Sequence, residues 1–240
     1  MNTNMTITKS FNTTIIDSDL SSLPDELLEY SIDAILEEGV LEALPIVRTI
    51  KGAIKTAGNI QDKLFLNKIV SFLFHLKDVD SNQRKKMISN IDSNQKFKVQ
   101  VGEKLLYIID KCDDHSKSAI VSLIFKAYIE EKIKYSDFLR TVYTINNISY
   151  EDLQSFVQIP DSYDLNSIDC YYYIQAGLVK RLTIEEVKNI EGIPQGGFNL
   201  GVMHNRYTHE GEIIRQTLKD VFNEQLKSNV FKEKVSCLEF

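Results

Sequence analysis

Residues Leu44 to Leu76 read "LPIVRTIKGAIKTAGNIQDKLFLNKIVSFLFHL", a basic, glycine-punctuated segment followed directly by a nearly uncharged aromatic one. In the first half Arg48, Lys51 and Lys55 recur on one side of a helix, while Ile46, Val47, Ile50, Ile54 and Ala57 fall on the other. In the second half Leu64, Phe65, Leu66, Ile69, Val70, Phe72, Leu73 and Phe74 cover most of the circumference, the pattern of a buried central helix. About 13 such residues rise only ~20 Å, whereas crossing a bilayer takes ~20 residues and ~30 Å. A conventional transmembrane helix is therefore excluded.

Two readings of the hairpin remain. It is either bundle core with its cations in water, or a surface helix that meets an anionic membrane or a partner through Arg48, Lys51, Lys55, Ile50 and Ile54. An apolar stripe of this kind is what any bundle helix presents, so core packing is the expectation for the resting protein. Membrane contact would then require a triggered opening of the bundle.

Outward from this hairpin the chain continues to read as helix. Toward the N-terminus, "SSLPDELLEYSIDAILEEG" over 21–39 carries an apolar face through Leu27, Leu28, Ile32, Ile35 and Leu36 and stops at Gly39. Before it, residues 1–22 read as a polar, weakly β-prone tail with no basic and apolar leader pattern. Toward the C-terminus, helices are expected from Asp80, Val101, Ser116, Tyr135 and Ser149, the last with a capping-box spacing between Ser149 and Asp152. Pro160 closes a helical bundle predicted over 23–160.

Beyond Pro160 the pattern changes. A helix over 164–176 ends at Gly177 and is followed by a short apolar strand, a helical turn with a Thr183/Glu186 capping box, and the glycine-rich "PQGGFNLG" of 194–201. A strand and an amphipathic helix through Ile213, Ile214, Leu218, Val221 and Phe222 complete the order. This is the second half of a winged helix, so the predicted fold is mainly α: a helical bundle followed by a small winged-helix-like α+β subdomain over 161–240.

Composition narrows the class of function. The net charge of −6 disfavours a general nucleic-acid binder, and residues 161–240 carry twelve acidic against nine basic side chains. The helix at the recognition position holds Asp164 and Asp169 and no Lys or Arg before Lys180, so no specific nucleic acid is expected. Cys112, Cys170 and Cys237 are odd in number and widely spaced, which argues for a reducing cytoplasm, with peripheral association at the inner face of the cell membrane under the alternative reading. Charge is also uneven. Residues 1–40 hold eight acidic side chains against Lys9, while residues 41–88 hold nine basic against four acidic, a self-shielding arrangement.

No catalytic motif is spelled out. "CDDH" at 112–115 offers four ligand types, but neighbouring helical positions point about 100° apart and no second ligand pair completes a shell. Asp113 and Asp114 read instead as caps of the following helix. "HNRYTHEGE" at 204–212 gathers His204, Arg206, Tyr207, His209 and Glu210, the best polar constellation in the chain, yet it lacks a nucleophile, and Thr208 reads as a helix N-cap. The 194–201 loop matches no phosphate-binding spacing. Tyr171, Tyr172 and Tyr173 point around a helix, with one or two expected in the core. The expectation is a non-enzyme with no metal and no cofactor.

Two stretches resemble known families. "KAYIEEKIKYSDFLRTV" at 126–142 resembles the turn of TerB-like tellurite-resistance domains, where Asp-Gly precedes an Ile and a later acidic residue. Ile133 and Asp137 fit, and Glu131-Lys132 stands in place of Asp-Gly, which is expected to remove the glycine turn. That family implies a metal-dependent or hydrolytic alternative. Separately, residues 36–78 together with "AGLVKR" and "RYTHEGEII" resemble bacterial abortive-infection proteins of the Abi-alpha-like type, over most of 25–220. That resemblance implies an anti-phage or stress-defence component acting through protein partners, such as products of the same operon or a second copy of the chain, or through a membrane as a perturbing effector.

Overall fold

The computed structural model describes residues 3–25, 27, 41–57, 60–94, 99–166, 168–188 and 204–236. It is mainly helical with one small two-stranded sheet, and it divides into two compact units, Met1–Lys134 and Tyr135–Phe240. The helix expected over 21–39 and the loop at 194–201 lie largely outside the described residues.

The first unit contains α1 (Thr3–Asp17), α2 (Pro45–Ala57), α3 (Ile60–Phe74), α4 (Ser81–Asp92), α5 (Val101–Lys111) and α6 (His115–Ile129). Its centre is α3 against α6. Serines allow the two backbones to approach: Ser118 Oγ donates to Lys68 O at 2.7 Å, Ser122 Oγ to Phe72 O at 2.6 Å, and Ser71 Oγ to His115 O at 2.9 Å. Each hydroxyl is thereby satisfied inside an apolar layer, where an unpaired one would be costly. Phe11, Phe72, Phe125 and Tyr128 form a chain of ring contacts through this layer, with centroids 5.9 to 6.1 Å apart.

The N-terminal residues depart from expectation. Residues 3–17 form α1 rather than a polar tail, and Phe11, Thr14 and Ile15 on one face are fully buried against α2, α4 and α5. The Asn and Thr content gives little intrinsic helix propensity, so burial of this face supplies the stability that local sequence does not. Thr14 also serves the next helix. Its Oγ1 donates to Ser10 O at 2.8 Å and accepts from Ile46 N at 3.1 Å, which satisfies one of the free amides at the start of α2.

The second unit contains α7 (Tyr135–Asn146), α8 (Tyr150–Gln158), α9 (Tyr171–Ala176), β1 (Val179–Arg181), α10 (Ile184–Lys188), β2 (Asn205–Tyr207) and α11 (His209–Ser236). β1 and β2 pair antiparallel with Val179 opposite Tyr207. The unit begins 26 residues before the predicted boundary at 160/161, because α11 buries Ile214, Leu218 and Phe222 on a face that packs against α7 and α8. Pro160 ends a helix without ending a domain. Gly211 lets α11 start close against the backbone just before β1, since a Cβ there would lie 2.2 Å from Leu178 O.

Two local expectations are also corrected. The helix expected over 164–176 starts only at Tyr171, because Asp164 and Asp169 accept from the backbone amides of Asn166 and Tyr171 and hold turns instead. The turn after α6 survives without glycine: Glu131 itself adopts φ 61°, Lys132 N donates to Ala127 O at 2.9 Å, and Glu131 N to Tyr128 O. A side chain in this conformation costs about 1 kcal/mol. Glu131→Gly is therefore expected to raise stability by roughly that amount and the melting temperature by ~2–4 °C, read by thermal circular dichroism. An unchanged or lower midpoint would mean that the exposed Lys86–Glu131 pair, 3.4 Å apart, outweighs the backbone effect.

Candidate functional site

The basic helix of the opening stretch turns its apolar face inward. Ile46, Val47, Ile50 and Ile54 are buried, Arg48 is exposed, and Lys51 Nζ lies 2.8 Å from Glu42 Oε1. The side chain of Lys55 lies outside the described residues. Ile50 and Ile54 thus belong to the core of the first unit, and the surface they were read as sharing with Arg48 and Lys51 is not continuous. No helix among the described residues is long and apolar enough to cross a membrane.

"CDDH" resolves into helix capping. Asp114 Oδ1 accepts from Lys117 N at 3.0 Å as the N-cap of α6. Asp113 pairs with the buried Lys117 ammonium, and Lys68 Nζ donates to Asp110 O at 3.1 Å and Cys112 O at 2.5 Å, covering carbonyls at the end of α5. Burial pushes the Cys112 thiol up to about 12, so it is held as an inert thiol with its Sγ against Ile108 O. Among the described residues no three His, Cys, Asp or Glu side chains are placed to hold a metal ion.

The 204–212 cluster is divided between several tasks. The β2 pleat sends Arg206 outward, opposite Lys180, and directs Tyr207 toward Phe156, with ring centroids 5.7 Å apart. The Tyr207 hydroxyl is buried with no partner among the described residues. His204 contributes its carbonyl, which accepts from Leu182 N at 2.8 Å. Thr208 caps α11, its Oγ1 accepting from Gly211 N at 3.0 Å and donating to Gly177 O at 2.7 Å. His209 and Glu210, in the first turn of α11, meet α7: His209 Nε2 is 3.7 Å from Asp137 Oδ2, and Arg140 bridges Asp137 at 2.7 Å and Glu210 at 3.0 Å. This is a solvent-facing ion network that ties α11 to α7, each link worth little alone.

A buried arginine was missed by the sequence reading. Arg215, 6% exposed, donates from Nη1 to Phe156 O at 2.8 Å and from Nη2 to Ile159 O at 2.6 Å and Asp161 Oδ1 at 2.7 Å, with its guanidinium carbon 4.7 Å from the Tyr207 ring centre. It closes the carboxyl end of α8. The only sequence signal was its position between Ile214 and Leu218 on the apolar face of α11. Of the tyrosine run, Tyr171 and Tyr172 are both mostly exposed and pack edge to face, and Tyr173, one of the one or two expected inside, turns inward onto Phe156. The helix is six residues long, too short to bury more than one face of three consecutive positions.

The first unit holds a cleft that no sequence motif marked, lined by Asp17, Asp19, Asp25, Lys77, Asp80 and Arg84 among others. No protein-family model, no curated protein and no solved structure matches this chain.

Proposed function

We propose that the protein is a non-catalytic interaction component of a bacterial anti-phage or stress-defence system, acting through protein contacts made by its second unit. The observation that carries this reading is the placement of tyrosines. Tyr143, Tyr163, Tyr171 and Tyr172 are each more than half exposed, although the phenylalanines described in the same unit, Phe138, Phe156 and Phe222, are buried. Exposed tyrosine combines large apolar area with a hydroxyl at low conformational cost, which is why it is enriched at protein interfaces. The defence role rests on the abortive-infection resemblance of residues 36–78 and the 176–214 motifs.

The finer winged-helix reading belongs to the same proposal. An antiparallel β1–β2 pair flanked by α9 and α11 is the order such a subdomain requires, and α9 carries no Lys or Arg. A recognition-position helix of tyrosines without cations suits a protein surface better than duplex phosphates. The polar candidates at 204–212 support a non-catalytic reading because they are engaged in caps, packing and the Arg140 network. Membrane perturbation by the 44–76 hairpin is the alternative, and it requires that Ile50 and Ile54 leave the core.

The test is phage challenge of cells expressing the chain and the genes beside it. Tyr171→Ser with Tyr172→Ser is expected to leave the melting temperature within ~2 °C, since both side chains are exposed, while abolishing protection and co-purification with the operon partner. Protection retained in full by this folded double variant would remove the tyrosine surface from the mechanism. Sedimentation of the native protein with anionic vesicles would favour the membrane alternative instead.

A further inference from the structure

We propose that Tyr171, Tyr172 and Asp169 form a docking surface for an arginine side chain of a protein partner, which gives the interface proposed above its chemistry and rests on that reading. Asp169 Oδ1 accepts from Tyr171 N at 2.9 Å, which fixes the carboxylate at the start of α9, and its second oxygen takes no hydrogen bond among the described residues. The rings of Tyr171 and Tyr172 meet edge to face with centroids 5.4 Å apart and are 60% and 66% exposed. Tyr173 packs on Phe156 with centroids 5.2 Å apart, and Gly177 ends the helix at φ 84°, so the two outer rings stand on an anchored turn of helix.

Charge selects the partner. Residues 161–179 contain three aspartates and no lysine or arginine. Asp161 is taken by Arg215 and Lys219, and Asp164 Oδ1 accepts from Asn166 N at 3.0 Å and Asn166 Nδ2 at 2.8 Å. Asp169 is exposed and makes no ion pair among the described residues, although Arg181 is near enough to act electrostatically on the adjacent Cys170. An apolar partner would strip water from this carboxylate without replacing it, and an acidic protein or a nucleic-acid backbone would be repelled. A cation satisfies the carboxylate and the open ring faces together.

The same unit holds a filled example of this combination. Arg215 donates to Asp161 Oδ1 at 2.7 Å while its guanidinium carbon lies 4.7 Å from the Tyr207 ring centre. Asp169 with Tyr171 and Tyr172 repeats the carboxylate and the aromatic face on the outside, with no arginine of the described residues seated there. Arginine fits better than lysine because its planar fork pairs with a carboxylate and stacks on a ring at once, whereas an ammonium is a strongly hydrated point charge.

The test is an NMR titration of the full isotope-labelled chain with the capped peptide Gly-Arg-Gly-Arg-Gly and its lysine and glutamate counterparts, at roughly 150 mM salt to screen general attraction to an acidic protein. The arginine peptide is expected to shift the amides of residues 169–173 and to bind at least about threefold tighter than the lysine peptide, with no response to the glutamate peptide at roughly 10 mM. Asp169→Asn, and separately Tyr171→Ser with Tyr172→Ser, should each remove those shifts at unchanged circular dichroism, because all three side chains are exposed. Shifts spread over other acidic segments instead, equal affinity for arginine and lysine, or binding that survives Asp169→Asn overturns the assignment. The reading beneath it fails separately. Protection lost in the tyrosine double variant with no arginine-peptide response keeps the interface and removes its cationic partner, whereas a response at 169–173 with protection intact keeps the arginine surface and removes its defence role.

Discussion

Ile50→Asp is expected to unfold the first unit. Ile50 is 2% exposed on the buried face of α2, and a carboxylate there loses the apolar contact while entering an environment with no partner to compensate it. A loss on the order of 4 kcal/mol or more follows, against a total stability of ~5–15 kcal/mol for a domain. The combined reversal Arg48→Glu, Lys51→Glu and Lys55→Glu should behave differently. Arg48 is exposed, and Lys51 gives up only its pairing with Glu42, so the melting temperature should fall by a few degrees at most, on the order of 1 kcal/mol. Circular dichroism melts of the two variants, run beside vesicle sedimentation, separate core from surface. If Ile50→Asp were tolerated and simultaneously lost vesicle binding, α2 would be a surface helix and the core assignment would fail.

The contrast between α1 and α2 explains what the sequence could disclose. In α2 the apolar positions are Ile and Val at helical spacing, so periodicity alone found both the helix and its buried face. In α1 the buried face is Phe11, Thr14 and Ile15 within an Asn- and Thr-rich run, and one of its three contacts is a hydroxyl that serves Ile46 on another helix. Such a helix exists because of partners far away in the chain, and a local window contains nothing to announce it. Caps are the opposite case. Ser149, Thr183, Thr208 and Asp114 all act within three residues, and each is legible where it stands. The division into compact units at 134/135 lies away from Pro160 for a reason similar to that of α1: Pro160 is a local stop, whereas the pairing of α11 with α7 and α8 links segments some fifty residues or more apart.

The candidate sites follow this division. The grouping of His204 to Glu210 in sequence suggested a shared site, but strand alternation and the start of α11 separate the side chains onto different neighbours. Arg84 and Arg215 show the converse. Both are nearly fully buried cations in ordinary amphipathic helices, and their importance depends on what surrounds them: carbonyl groups for Arg215, an acidic cleft for Arg84. A basic residue on a helix is read by default as solvated, so both were invisible until the packing placed them.

Arg215→Met is expected to destabilise the second unit by about 3 kcal/mol. Methionine retains much of the volume beside Tyr207 and Phe156 but leaves the carbonyls of Phe156 and Ile159 without the donors that close α8, and each buried acceptor stranded in this way costs about 1–3 kcal/mol. Arg215→Lys should recover only part of the loss, because an ammonium is a point donor and cannot span two carbonyls and a carboxylate as the planar fork does. Asp161 is separable from this effect. Its bonds to Lys219 and Arg215 hold its carboxyl below the usual range, so whatever it contributes is present above pH ~4 and is lost as pH falls through its folded value. The carbonyl bonds do not titrate. Denaturant unfolding at pH 7 and again at the acid end of the range should therefore show the Arg215→Met deficit persisting after Asp161 is protonated. A deficit that vanishes with protonation would instead make the surface ion pair, and not the closure of α8, the reason an arginine stands at 215.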